Sequence, residues 1–75
     1  MSAQHHGRQA VEEWNTHCPP GTRVRYWPVL PPIPSSPPVD TTTRSEAWCL
    51  GDGSPVVLIA GRTGGIHIGH LEVLP

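Results

Sequence analysis

The sequence predicts a mainly β domain headed by one short helix, and three observations carry that prediction. Residue type alternates at every second position: Val24 and Tyr26 against Arg23, Arg25 and Trp27 within Thr22–Val29, and a small set against a larger one within Thr41–Leu50, which is the period of a half-buried strand. Glycine-rich turns, "GDGS" at 51–54 and "RTGG" at 62–65, divide the second half of the chain at hairpin spacing. Only "RQAVEEWNTH", Arg8 to His17, carries a helical period.

Residues 1–7 read as a flexible tail, and residues 8–75 as a single small domain. In the helix, expected over residues 8–17, Val11, Trp14 and Cys18 fall at i, i+3 and i+7, with Ala10 four before Trp14. They form one apolar stripe, while Glu12 and Glu13 face away. "CPPG" ends it, because tandem prolines cannot continue a helix and Gly21 permits the turn. A helix this short does not persist alone in water, so it must pack through Trp14.

"TRVRYWPV" reads as the first strand. Val24 and Tyr26 share one face and Arg23, Arg25 and Trp27 the other. Pro28 then sits at a strand end, since it has no N–H to donate. The proline-rich stretch "PPIPSSPPVD", residues 31–40, is extended chain and forms a long first loop. "TTTRSEAWCLG" is the second strand: Thr43, Ser45, Ala47 and Cys49 face inward, and Arg44, Glu46, Trp48 and Leu50 outward. Asp-Gly in the following turn supplies positive φ. "PVVLIAG", apolar on both faces, is the most buried strand. "IHI" is a short strand, and "GHLEVLP" holds a 3₁₀ turn and a final strand.

This order resembles an SH3-like antiparallel barrel of about five strands over Gly21–Leu74. The resemblance implies a long first connection, tight later turns and a 3₁₀ turn before the last strand, with Trp14 plugging an open end. An open antiparallel sheet with the helix across it is the alternative.

Composition narrows the function. With 75 residues, 36% of them apolar and no Phe, the core is small. Trp14, Trp27, Trp48 and Tyr26 must supply much of its bulk, and a homo-oligomer or a bound target would add stability. The net charge is −1, from five arginines, no lysine and six carboxylates. That argues against a coat for nucleic acid or an anionic membrane. The first residues contain no apolar run, so neither a signal peptide nor a membrane span is expected. The expected location is the cytoplasm of a bacterial host. There Cys18 and Cys49 stay reduced, although an oxidising compartment leaves their pairing open.

No catalytic, metal or cofactor site is expected. His67 and His70 stand three apart, which on a regular strand points them to opposite faces, and no third ligand accompanies them. His5 and His6 also lack ligand partners. "GRTGG" precedes no helix, as a phosphate loop would require. Ser45, His70 and Glu46 make a triad only on paper, with no nucleophile elbow. Pro28-x-x-Pro31 and Pro34-x-x-Pro37 have SH3-ligand spacing, but are read as a stiff loop presenting Ile33 and Val39.

Surface recognition remains. Arg23, Arg25 and Trp27 on one strand and Arg44, Glu46 and Trp48 on the next, with Arg62, form the candidate partner-binding set, since Trp and Arg are enriched at binding hot spots. The stretch "TRSEAWCLGDGSPVVLIAGRTGGIHIGHLEV", Thr43–Val73, resembles short proteins carried by bacteriophages and mobile elements. That resemblance implies a small accessory protein that binds a host protein or complex, as anti-CRISPR inhibitors do. Two alternatives stand beside it: a nucleic-acid-binding barrel using Arg23, Arg25, Arg44 and Arg62, and a homo-oligomer whose pore binds a small molecule.

Overall fold

A computed structural model describes residues 3–28 and 37–75, with side chains from residue 7 onward. Helix α1 spans Ala3–His17, and the strands are β1 (Arg23–Tyr26), β2 (Val39–Thr42), β3 (Trp48–Cys49), β4 (Pro55–Val57), β5 (Ile66–His67) and β6 (Leu71–Val73). A 3₁₀ turn, Ile68–His70, joins β5 to β6. The strands form two antiparallel sheets, β2-β1-β6 and β3-β4-β5. Most of the proline-rich stretch, including Ile33 and both PxxP spacings in part, lies outside the described residues.

The helix corrects the expected boundary: residues 3–7 belong to α1 rather than to a tail. The reason is tertiary. Gly7 is buried, and a Cβ there would collide with the Gly53 carbonyl oxygen and lie 3.4 Å from Cys49 Sγ. Glycine inside a helix costs about 1 kcal/mol relative to alanine, and here it permits the helix to lean on the 51–54 turn. At the other end the Cys18 N–H reaches Trp14 O (2.6 Å), and the two prolines stop the helix.

The expected strand over 41–51 is two strands in different sheets, which makes six strands among the described residues. β2 pairs with β1 through Arg23–Thr42, Val24–Thr41, Arg25–Asp40 and Tyr26–Val39. The chain then crosses to the second sheet, where β3 pairs with β4. Between them, side chains replace the ladder. The Leu58 N–H donates to Ser45 Oγ (3.2 Å). The Asn15 carboxamide accepts from the Ala47 N–H (2.8 Å) and donates to the Ala47 carbonyl (3.1 Å). Strands commonly change sheets at such corners. The alternation itself holds across the corner: Thr43 and Ala47 are buried, Ser45 and Cys49 half-buried, and Arg44, Glu46, Trp48 and Leu50 exposed.

The sheets meet at the Thr43–Ile59 bridge, flanked by Arg44 N–H to Leu58 O (2.8 Å) and Ala60 N–H to Thr42 O (3.0 Å). Among the described residues no pairing joins the opposite side, so two sheets stand where a closed barrel of about five strands was expected. Strands of two to four residues carry few backbone groups with which to close a ring. The last strand returns beside the first: β6 pairs with β1 through Val24–Val73, Arg25–Glu72 and Tyr26–Leu71.

The turn after β3 also differs in detail. Gly53 alone has positive φ, +91°, and the bonds Gly53 N–H to Leu50 O (2.9 Å) and Leu50 N–H to Ser54 O (2.9 Å) define a three-residue hairpin loop closed by a glycine bulge. Asp52 supplies a side-chain acceptor for the Ser54 N–H (2.9 Å) rather than a left-handed backbone.

The core is Val24, Ala47, Val57 and Ile59, with Val11, Trp14, Tyr26, Ile66, Ile68 and Leu71 packed around it. Trp14 and Tyr26 therefore supply bulk as expected. Trp27 and Trp48 are not among these residues. β4 is buried at every position. Buried Thr43 ties the post-helix loop to the corner: its Oγ1 accepts from the Thr22 N–H (3.1 Å) and donates to Pro19 O (3.2 Å).

Replacing Asn15 by alanine leaves the Ala47 N–H and C=O without partners beneath the helix, so a loss of about 2–3 kcal/mol is expected. In a domain of this size that is a melting temperature lower by roughly 10 °C or more, read by tryptophan fluorescence. Gly7→Ala should destabilise despite its better helix propensity, because its methyl meets the Gly53 carbonyl.

Candidate functional site

The candidate residues fall into two groups on different sheets. Arg23, Arg25 and Trp27 do share the outward side of the first sheet, and Arg25 and Trp27 are engaged there. Arg25 binds Asp40 in bidentate fashion, Nε to Oδ1 at 2.7 Å and Nη2 to Oδ2 at 3.2 Å. It faces Asp40 on β2 and Glu72 on β6, so one guanidinium stands between two carboxylates in a cross-strand row. Trp27 Nε1 donates to Glu72 Oε1 (3.4 Å). The Arg25 hydrogen bond holds the Asp40 carboxyl below its ordinary pKa, and the charge of Arg23 acts in the same direction. Arg62 belongs to neither group: its guanidinium lies 5.0 Å from the centroid of the Tyr26 ring, a cation–π distance.

Arg44, Glu46 and Trp48 form the second group, and Leu50 extends it. All four lie on the outward side of the 43–50 segment, whose inward positions fill the core. Neither the Arg44 nor the Glu46 side chain has a hydrogen-bond or ion-pair partner among the described residues; the one salt bridge there is Arg25–Asp40. Trp48 is 38% and Leu50 43% exposed. Trp48 pairs with Val56 across β3 and β4, and Trp48 Cη2 would lie 3.3 Å from a Cβ at residue 65. Gly65 thus leaves room for the indole edge, and the ring lies over the sheet while one side stays open to water.

Sequence reasoning missed Leu50, Asp40 and Glu72. Leu50 was visible as the next outward position after Trp48. Asp40 and Glu72 were not, because their roles depend on which strands flank β1.

His67, His70 and Ser45 are occupied by the fold. His67 Nδ1 accepts from the Gly69 N–H (2.9 Å) and caps the 3₁₀ turn. His70 Nδ1 lies 2.8 Å from the Trp27 carbonyl, and since a carbonyl only accepts, that nitrogen carries the proton. The two rings therefore serve different backbone segments. Ser45 Oγ donates to the Glu46 carbonyl (2.9 Å), and no side-chain hydrogen bond joins Ser45, Glu46 and His70. Among the described residues no three His, Cys, Asp or Glu are grouped as metal ligands. Cys18 and Cys49 are free, and burial raises the Cys18 pKa. A groove of about 280 Å³ between α1 and the 3₁₀ turn is lined by Ala10, Glu13, Trp14, His17, Cys18 and Ile68. Trp14 Nε1 is buried without a hydrogen-bond partner.

No helix among the described residues is long and apolar enough to cross a membrane. No protein-family model, curated protein or solved structure matches this chain.

The lowered pKa values of Asp40, through Arg25, and of Asp52, through the Ser54 N–H, set an acid limit. A carboxyl with a depressed folded pKa adds stability that is complete above its unfolded value, about 3.9, and is lost as pH falls below it. Melting temperatures recorded down the acid limb should fall below roughly pH 4. The decline should be shallower in the double variant Asp40→Asn/Asp52→Asn. An alkylation time course should label Cys49 before Cys18, because the thiolate is the nucleophile.

Proposed function

We propose that this chain is a small, non-enzymatic protein-binding module that works through the outward row Arg44, Glu46, Trp48 and Leu50. One observation carries this reading: two opposite charges without an ion-pair partner among the described residues and two exposed large apolar side chains share the outward side of a segment whose inward side is buried or half-buried. A half-exposed indole on the same outward side as an arginine four residues away is the composition of a binding hot spot, and a neighbouring leucine adds apolar area that water covers at a cost. The first-sheet row of Arg23, Arg25 and Trp27 is secondary, because Arg25 and Trp27 already satisfy Asp40 and Glu72.

An SH3-like architecture fits the order of elements. A long connection follows β1, a short turn follows β3, residues 58–65 with the Ile59 bridge lead from β4 to β5, and a 3₁₀ turn precedes a last strand that returns to β1. The proposed setting is a phage or mobile-element protein that binds and blocks a component of a bacterial host defence, in the manner of anti-CRISPR proteins. The nucleic-acid alternative is weakened by the paired Arg25, the stacked Arg62 and the net charge of −1.

The test is an affinity capture from bacterial lysate, with and without nuclease, using wild type and the variants Arg44→Glu and Trp48→Ala. One stoichiometric protein should survive nuclease and be lost with Arg44→Glu, whose melting temperature should stay near wild type because the side chain is exposed and has no hydrogen-bond or ion-pair partner among the described residues. Trp48→Ala should weaken capture and lower stability only modestly, by about 1 kcal/mol. Capture that vanishes with nuclease would move the reading to nucleic acid, and collapse of the fold in Trp48→Ala would make the indole a structural cover.

A further inference from the structure

We infer that the free edge of β6 pairs antiparallel with the same edge of a second copy of this chain, about a two-fold axis at Val73. This edge belongs to the first sheet and shares no residue with the 44–50 row. In the β2-β1-β6 sheet, β6 has β1 on one side and no strand on the other. The Leu74 N–H donates to Arg23 O (3.0 Å) and the Trp27 N–H to His70 O (2.8 Å). With Val24 opposite Val73, the bonded pairs of this ladder are therefore Arg23–Leu74, Arg25–Glu72 and Trp27–His70. The backbone groups of Leu71 and Val73 point away from β1. The Leu71 N–H is taken by Ile68 O in the 3₁₀ turn. That leaves the Leu71 carbonyl and both the N–H and the carbonyl of Val73, none of them bonded among the described residues.

A free donor and a free acceptor on one residue make the edge complementary to itself, and two antiparallel registers use them. An axis at Glu72 sets Glu72 directly opposite Glu72, and like charges there are destabilising. An axis at Val73 lets each Val73 N–H donate to the other's carbonyl, with valine opposite valine and Glu72 opposite Leu74. Val73 is 47% exposed, although it stands on the same side of the sheet as fully buried Val24, and the second copy's valine covers it. On the other side of the sheet the charges match. Arg23 lies beside Leu74 and has no ion-pair partner among the described residues. The Glu72 carboxylate has one hydrogen bond there, from Trp27 Nε1 at 3.4 Å. Since Leu74 faces Glu72 of the second copy, Arg23 stands two strand spacings, about 10 Å, from that glutamate, a span the two long side chains bridge. One rotation thus forms two backbone hydrogen bonds and two Arg23–Glu72 pairs. Pro75 faces Leu71 of the second copy and has no N–H to donate, so the added ladder is short and the dimer weak.

Sedimentation equilibrium of the full chain, from roughly micromolar to millimolar protein, tests this with wild type and the variants Val73→Pro, Val73→Thr, Arg23→Glu and Arg44→Glu. Wild type should dimerise in the upper part of that range. Val73→Pro removes both new hydrogen bonds and none of the β1 ladder, so it should weaken the dimer at least about tenfold while tryptophan fluorescence shows it folded. Val73→Thr keeps both backbone groups and should stay near wild type. Arg23→Glu should weaken the dimer by roughly fivefold, and Arg44→Glu should leave it unchanged. Amide hydrogen exchange of wild type reads the same contact without a substitution: the Val73 N–H should gain protection between micromolar and millimolar protein, while the Leu74 N–H is protected at both. A wild type that stays monomeric, a folded Val73→Pro that dimerises normally, or a Val73 amide that exchanges alike at both concentrations would each overturn the pairing. Loss of the dimer in Arg44→Glu would move the contact to the 44–50 row and overturn it as well.

Discussion

The carboxamide of Asn15 is the interaction on which the rest of the structure depends. Ala47 sits where the chain passes from one sheet to the other, and there its N–H and C=O have no strand beside them. Asn15 supplies an acceptor at 2.8 Å and a donor at 3.1 Å, the same pair of bonds a neighbouring strand would give. One side chain thereby covers a sheet edge, which would otherwise offer a template for aggregation, and orients α1. With the helix so placed, Val11 and Trp14 reach the core and Gly7 meets the 51–54 turn. The docking also carries an unfavourable element, since the Trp14 indole N–H is buried without an acceptor, a loss of about 1–3 kcal/mol. Apolar burial and the Asn15 bonds must outweigh it.

The corner at 43–47 also separates the polar residues by task. Around the first sheet, polar groups are engaged within the fold: Arg25 with Asp40, the Trp27 indole N–H with Glu72, and Arg62 over the Tyr26 ring. These exposed contacts are screened by solvent, and their effect is to order the strands' outer side. At and past the corner, Arg44 and Glu46 have no hydrogen-bond or ion-pair partner among the described residues, and Trp48 keeps one side open to water. A residue pattern that looks uniform along the sequence, arginine and tryptophan at alternate positions of two strands, thus becomes one face that is internally satisfied and one that is open.

A binding role agrees with the fate of the chemically capable groups. His67 and His70 hold backbone groups of the 3₁₀ turn and of Trp27, and Ser45 supports the corner. Each is committed to shape. What the molecule presents outward is a row of side chains on a short, well-supported segment, and an ordered row loses little conformational freedom when it meets a partner.

The sequence by itself determined the class and the local grammar. Period-two alternation settled which residues of 43–50 face the core, and Leu50 could have been added to the site on that pattern alone. Three of the 51–54 turn residues announced the hairpin, and the run "PVVLIA" announced the most buried strand. Those signals are local, set by the pleat and by backbone sterics, and need no knowledge of neighbours. Only the tertiary structure decided where α1 begins, that one long strand breaks into two at Ala47, that the sheets meet along a single side, and which arginines are engaged. Each of these depends on groups far apart in the chain, Gly7 with Gly53, Asn15 with Ala47, Arg25 with Asp40 and Glu72, and no periodicity along one segment records the partner it will meet.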